Sequence, residues 1–180
     1  QTLVVYNGSS DTQVVGGLAK NWSESSDGFH WNFTMWAGEH FSNGDPLNAY
    51  VMWYSLYRGL MMNQAIGILY MENFFSPGVS YYSQPSAIKA SNNATVRVLN
   101  AFNTLANVTN PSAPTLAYLE AQNQSFRVID NLTIQFNLGF GYLGPIPYTY
   151  FLAQLTMAPF AALDPLVVAA NGGVHLGAPN

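Results

Sequence analysis

Three histidines, His30, His40 and His175, are the only side chains in the sequence whose ordinary pKa lies near neutrality. Nucleophilic catalysis needs such a base beside a hydroxyl or thiol, and acid–base hydrolysis needs two carboxylates set across a cleft. No cysteine occurs, which removes thiol chemistry and disulfides. The patterns Gly-X-Ser-X-Gly, His-Glu-X-X-His and Gly-X-X-X-X-Gly-Lys do not occur either. Glu39 and His40 are adjacent and could contribute to a metal site, but their spacing matches no standard ligand set, and a surface loop pair is the simpler reading. Asp45, Asp130 and Asp164 fall at turns or helix starts, where local hydrogen bonding accounts for a carboxylate. The residues predict no catalysis, no metal site and no cofactor.

Charge narrows the field further. Asp, Glu, Lys and Arg make up 8% of the 180 residues, against about 25% in an ordinary globular domain. The cations are Lys20, Lys89, Arg58, Arg97 and Arg127. Five cannot build a stripe that tracks phosphates, so nucleic acid is excluded as a partner. A surface poor in carboxylates suits an acidic medium, where carboxylates protonate and stop solvating the chain; a lineage simply rich in Tyr and Asn would give the same composition. The opening residues QTLVVYNGSS lack the basic start and small-residue cleavage site of a leader. The most apolar stretch, from Tyr150 to Ala170, is interrupted by Gln154, Pro159, Asp164 and Pro165 and does not read as a membrane span.

Seven Asn-X-Ser/Thr triplets stand at Asn7, Asn21, Asn32, Asn93, Asn107, Asn123 and Asn131. Eighteen Asn and 24 Ser or Thr in 180 residues would give about two such triplets by chance. The excess predicts a secreted protein carrying N-linked glycans, which require solvent-facing acceptors.

Periodicity supplies the elements. Thr2 to Tyr6 reads as a short strand. Trp22 to Ser25 and His30 to Trp36 flank Asp27-Gly28, a hairpin signal, and Trp31, Phe33 and Met35 alternate with His30, Asn32 and Thr34 as in a half-buried antiparallel sheet. Asn48 is a plausible cap for a helix from about Ala49 to Leu60, whose apolar residues recur at helical spacing. Gln84 to Asn93 reads as a polar connector, and Ala94 to Ala106 as a second helix with a stripe of Val98, Leu99, Phe102 and Leu105; Thr115 to Gln122 suggests a third. Phe126 to Ile129 and Leu132 to Leu138 form a second hairpin about Asp130-Asn131. Pro147 should precede a helix to about Leu155, and a last helix should start at Asp164 and Pro165 and end before Gly172 or Gly173. The fold class is therefore α+β, with antiparallel β hairpins packed with helices. Trp31, Phe33, Leu132, Ile134 and Phe136 should share one core.

The order of these pieces resembles the extracellular solute-binding proteins of the dipeptide/oligopeptide class, family 5. Within Gly17 to Leu56, the residues Leu18, Ala19, Trp22, Asp27, Gly28, Trp31, Phe33, Gly38, Phe41, Gly44, Pro46, Leu47, Ala49, Val51, Tyr54 and Ser55 match the family's pattern in type and spacing. Phe126 to Leu138 and Tyr148 to Gly173 resemble two later stretches, and Met61 to Gln124 matches poorly. There are four departures, three of which remove charge: Trp36 stands at the family's Arg, Asn43 at its Asp before Gly, and Asn48 and Tyr50 at its Thr and Asp.

The resemblance implies a periplasmic-binding-protein-like fold with two lobes, of which residues 1–180 would be one partial domain in the first-lobe region of a protein roughly three times longer. It implies an extracellular or cell-surface location, a membrane anchor in the full protein, a peptide or sugar ligand, and the membrane permease of an ABC importer as partner. It points to an aromatic after the long helix, Tyr70, and to the stretch holding Met157 and Phe160 as ligand contacts. A competing reading is a glycosylated structural domain of a cell-surface layer or filament; a secreted hydrolase lacks the residues for its chemistry.

Overall fold

A computed structural model of the chain describes residues 1–10, 12–62, 86–122, 124–138 and 148–175. Strands β1 (Val4–Tyr6) and β2 (Val14–Gly16) form a two-stranded antiparallel ribbon. Strands β3 (Ala19–Glu24), β4 (His30–Met35), β5 (Phe126–Val128) and β6 (Thr133–Asn137) form an antiparallel sheet in the order β3-β4-β6-β5. Around them lie α1 (Ala49–Met62), α2 (Ser86–Asn100), α3 (Leu105–Thr109), α4 (Ala113–Leu119), α5 (Tyr148–Gln154), a 3-10 turn at Ala158–Phe160, and α6 (Pro165–Ala170).

The sheet forms where the alternation predicts it. Trp31, Phe33, Ile134 and Phe136 have no exposed surface, and the rings of Phe33 and Phe126 meet the Phe136 ring edge-on at centroid distances of 5.3 and 5.1 Å. Phe151 of α5 closes over them, 5.1 Å from Trp31 and 5.9 Å from Phe136. Leu132, expected in this core, is only half-buried, because the turn lifts it away before β6 begins at Thr133. The first hairpin turns at Gly28, whose φ of 75° favours glycine. The Ser25 hydroxyl donates to Asp27 Oδ1 at 2.5 Å and the Phe29 N–H at 3.0 Å, and these two bonds hold the Asp27 carboxyl below its ordinary pKa.

Helix α1 is built as its sequence implies. Asn48 Oδ1 accepts from the Val51 N–H at 3.0 Å, and the Ala49 N–H reaches across to the Asn131 carbonyl in the β5–β6 turn at 2.9 Å. Val51 to Leu56 are all buried. Trp53 and Tyr57 pack their rings at 4.5 Å, and Tyr57 meets Phe126 edge-on. The last helix also follows expectation: Asp164 Oδ1 caps the Leu166 and Val167 N–H groups, Pro165 takes the first turn, and the Gly173 N–H returns to the Val168 carbonyl.

Three assignments change. Strand β2, which falls outside the elements expected from periodicity, pairs with β1, and the Asn7 N–H closes on the Gln13 carbonyl at 2.9 Å. The connector expected at Gln84 to Asn93 is helical from Ser86, and this helix stops at Asn100 instead of running to Ala106. Thr104 then caps the separate helix α3, which turns Leu105 out to 54% exposure while Leu99 and Phe102 stay buried. Helix α4 begins two residues before the expected Thr115, at a Pro-bearing first turn.

Two predictions follow from the core. Phe136→Ala removes the ring on which Phe33, Phe126 and Phe151 converge and is expected to cost about 3–5 kcal/mol by urea denaturation; a loss under 1 kcal/mol would contradict this packing. Burial raises the phenol pKa of Tyr50, Tyr54 and Tyr57 on α1, that of Tyr54 to about 12. Folding thus favours the neutral phenols, so their contribution is whole below the ordinary phenol pKa of about 10 and is lost as pH rises through the raised values. The urea midpoint should fall between pH 10 and pH 12, and Tyr54→Phe should fall less steeply than the parent.

Candidate functional site

Of the three residues expected to meet ligand, Tyr70 lies outside the described residues. Met157 and Phe160 sit on the connection between α5 and α6. Phe160 is 1% exposed and belongs to the core, whereas Met157 is half-buried with its side chain packed on the core's edge. Of the two, Met157 is the more accessible; the Phe160 N–H donates to the Met157 carbonyl at 3.0 Å.

The connection is fastened to α1 at one buried hydroxyl. Ser55 Oγ accepts from the Leu163 N–H at 2.9 Å and donates to the Val51 carbonyl at 2.7 Å. The Ala162 N–H donates to the Gln1 carbonyl at 2.8 Å, which ties the same stretch to the start of the chain. Asn43 fastens the other side. Its Nδ2 donates at 2.7 Å to Asp45 Oδ2 and at 2.7 Å to Asp164 Oδ2, while its Oδ1 accepts from the Asp45 N–H at 3.1 Å. One neutral amide thus bridges two carboxylates and joins the loop after β4 to the cap of α6. A groove of about 260 Å³ lies there, lined by Phe41, Asn43, Leu163, Asp164 and Val167. Sequence reasoning passed over Ser55 and Asn43; the signal for both was their place in the resemblance, Ser55 as a match and Asn43 as a departure.

Among the described residues two polar side-chain atoms are buried without a hydrogen-bond partner, Gln154 Oε1 at the end of α5 and Arg58 Nε on α1. Each such group costs about 1–3 kcal/mol if left unmet. Composition marked Arg58 only as a scarce cation, and nothing in the sequence distinguished Gln154.

The second groove, of about 430 Å³, lies on the outer face of the four-stranded sheet and is lined by Glu24, His30, Asn32, Arg127, Gln135 and Asn137, among others. Its polar groups are largely committed to each other. His30 Nδ1 lies 2.7 Å from Asn137 Oδ1, Gln135 Nε2 donates to Asn32 Oδ1 at 2.9 Å, and Arg127 Nε donates to the Glu120 carbonyl at 2.7 Å. The other histidines bond to carbonyls, His40 to Gly38 and His175 to Gly172. Among the described residues no cluster of His, Asp or Glu could hold a metal ion, and no helix is long and apolar enough to cross a membrane.

The sequon asparagines divide by accessibility. Asn7, Asn21, Asn93 and Asn131 are exposed and Asn32 is half-buried. Asn107 is half-buried, and its Nδ2 donates to the Ala101 carbonyl at 2.8 Å. Asn123 lies outside the described residues.

The Asn43 bridge makes a prediction. Asn43→Asp would set a third carboxylate against Asp45 and Asp164 and remove the donor that joins them. The variant should lose about 1 kcal/mol of stability at pH 7, and the deficit should shrink as the medium is acidified towards pH 3 and the carboxylates protonate. A deficit independent of pH would contradict it.

No curated protein sequence matches the chain. Solved structures do. A periplasmic oligopeptide-binding protein from Borrelia burgdorferi aligns at a TM-score of 0.63 and 16% identity, over 96% of this chain and 27% of that one. Haemophilus influenzae OppA, in complex with the peptide RPPGFSPFR, aligns at 0.53 and 19% identity over 95% and 26%. The substrate-binding domain of an oligopeptide ABC transporter from Bacillus anthracis aligns at 0.51 and 18% over 95% and 25%. The chain thus spans about a quarter of the length of the structures it matches, and at these identities the likeness is one of fold. The sequence itself is matched over residues 13–171 by the family model of bacterial extracellular solute-binding proteins, family 5, which covers the hairpins, the helices and the Met157 connection alike. The chain belongs to that family.

Proposed function

We propose that the chain is part of the first lobe of an extracellular receptor that binds oligopeptides and delivers them to the membrane permease of an ABC importer, without catalysis. The observation that carries this reading is the family match over residues 13–171, joined to a fold that aligns over 96% of the chain with an oligopeptide-binding protein. Peptide is favoured over oligosaccharide because the structures the chain resembles are described as oligopeptide-binding or carry a bound peptide. Among the described residues each histidine ring meets an amide or carbonyl oxygen, an arrangement that a binding role accommodates.

Within this reading Met157 and Tyr70 are the ligand contacts and Phe160 supports the first of them. The unmet Gln154 Oε1, three residues before Met157, and the unmet Arg58 Nε are polar groups that a ligand or the remainder of the receptor would satisfy. The planar Tyr70 ring suits a face of a peptide, and the thioether of Met157 adapts to side chains of different shape, as a receptor for peptides of varied sequence requires.

Calorimetry on the full-length receptor with a peptide mixture and an oligosaccharide mixture tests the proposal. Peptides should bind and raise the melting temperature, by a free energy of about 2.7 kcal/mol when free peptide is a hundredfold above Kd. Tyr70→Ala should weaken peptide binding by about tenfold, or 1.4 kcal/mol. Binding of oligosaccharides with no response to any peptide would overturn the reading.

A further inference from the structure

The register of the four-stranded sheet gathers the sequons. On its outer face Asn21 of β3 stands opposite Thr34 of β4, and Thr34 opposite Thr133 of β6. In the next row Ser23 stands opposite Asn32, Asn32 opposite Gln135, and Gln135 opposite Arg127. Residues i and i+2 of a strand share a face, so Asn21 and Ser23 of one triplet, and Asn32 and Thr34 of another, point outward together. The residue between them points inward: Trp22 packs on the core and Phe33 is fully buried. A third triplet starts at exposed Asn131 in the β5–β6 turn and places Thr133 beside Thr34, their hydroxyls 3.5 Å apart.

We propose that this outer face is a glycan-bearing surface, with N-linked sugar on Asn21, Asn32 and Asn131. The proposal is independent of what the receptor binds and requires only that the chain is exported. Sugar is transferred from a lipid-linked oligosaccharide: the bond from Asn Nδ2 to the anomeric carbon forms as the bond from that carbon to the donor's phosphate oxygen breaks, the amide gives up one proton, and the lipid phosphate leaves. Geometry permits this at all three positions. Asn21 and Asn131 are exposed. At Asn32 the amide oxygen is held by Gln135 Nε2 at 2.9 Å, which leaves Nδ2 on the other arm of the amide, beside a groove of about 430 Å³ with room for the proximal sugars.

The face needs such a cover. An exposed sheet face often carries cross-strand ion pairs, yet among the residues that line the groove here only Glu24 and Arg127 carry full charges. Strand β3 is also a sheet edge, and sugar on Asn21 would block strand addition there. Asn107 is the internal contrast. Its Nδ2 donates to the Ala101 carbonyl at 2.8 Å and to Asn103 Oδ1 at 3.4 Å, so a sugar on that nitrogen would break the link between α2 and α3.

Glycopeptide mass mapping of a chymotryptic digest, on full-length protein purified from the cells that make it, tests the assignment. Sugar on Asn21, Asn32 and Asn131 with bare Asn107 is the expected result. Bare asparagine at both Asn21 and Asn32, whatever is found elsewhere, overturns it. Thr34→Val and Ser23→Ala, made in the same cells, leave the asparagines in place and should each remove the sugar mass from one position only, Asn32 and Asn21 respectively; an unchanged mass at those positions also overturns the proposal. Peptide binding by the same preparation is read separately, so failure here leaves the receptor reading intact.

Discussion

One sheet face has to be kept dry. Trp31, Phe33, Phe126, Ile134 and Phe136 all project from it, and each is fully buried. The Phe136 ring is the meeting point, within 5.1–5.9 Å of Phe126, Phe33 and Phe151. The strand period of two makes this demand strict, since a slip of one residue in β4 or β6 would exchange these rings for Asn32, Thr34 and Gln135. Helix α1 meets the same demand from the other side, with Tyr57 set edge-on to Phe126 and its first N–H hooked to the Asn131 carbonyl. The connection that carries Met157 is in turn hung from α1 through Ser55. The position of that connection is therefore inherited, link by link, from the aromatic seam.

This chain of dependence explains why the fold was readable and the ligand was not. The residues that carry the resemblance between Gly17 and Leu56 turn out to be occupied with folding. Gly17 lies where an added Cβ would come 2.6 Å from the Thr2 carbonyl oxygen, and Leu18 and Ala19 beside it are buried. Gly28, Gly38 and Gly44 take positive φ. Leu47, Ala49, Val51 and Tyr54 are core, and Ser55 is the buried clamp. A motif made of such residues declares an architecture strongly and says nothing about a ligand. The stretch around Tyr70, where the resemblance implies a ligand contact, carries no periodic signal that would place it.

Where reading the sequence failed, propensity and pattern were outweighed by local closures. The stripe Val98, Leu99, Phe102 and Leu105 has helical spacing, yet the chain breaks after Asn100, because Thr104 offers a cap to the Asn107 N–H and Asn107 in turn satisfies the Ala101 carbonyl. Spacing alone cannot see a cap competing with a helix. Strand β2 is only three residues long and too short to show a period. Phe160, to which the resemblance points as a ligand contact, lies in the 3-10 turn with its ring buried.

The scarcity of charge has a structural counterpart at two of the departures from the family pattern, Trp36 and Asn43. Where the family has Arg, Trp36 stands 46% exposed, and the Lys20 ammonium lies 5.5 Å from its ring, so a cation from the neighbouring strand replaces the one lost in sequence. Where the family has a carboxylate, the Asn43 amide lies between Asp45 and Asp164 and turns repulsion into two donated bonds. Asn48 takes the cap of α1 and uses its second amide atom, Nδ2, to reach the Val108 carbonyl at 3.0 Å. Within the sheet, Asn137 is buried to 2% exposure with His30 and the Gln124 carbonyl as partners. At the three asparagines a neutral amide supplies both a donor and an acceptor, whereas a carboxylate in its place could only accept. The bonds among Asn48, Asn137 and their partners join no carboxylate, so they persist when carboxylates protonate.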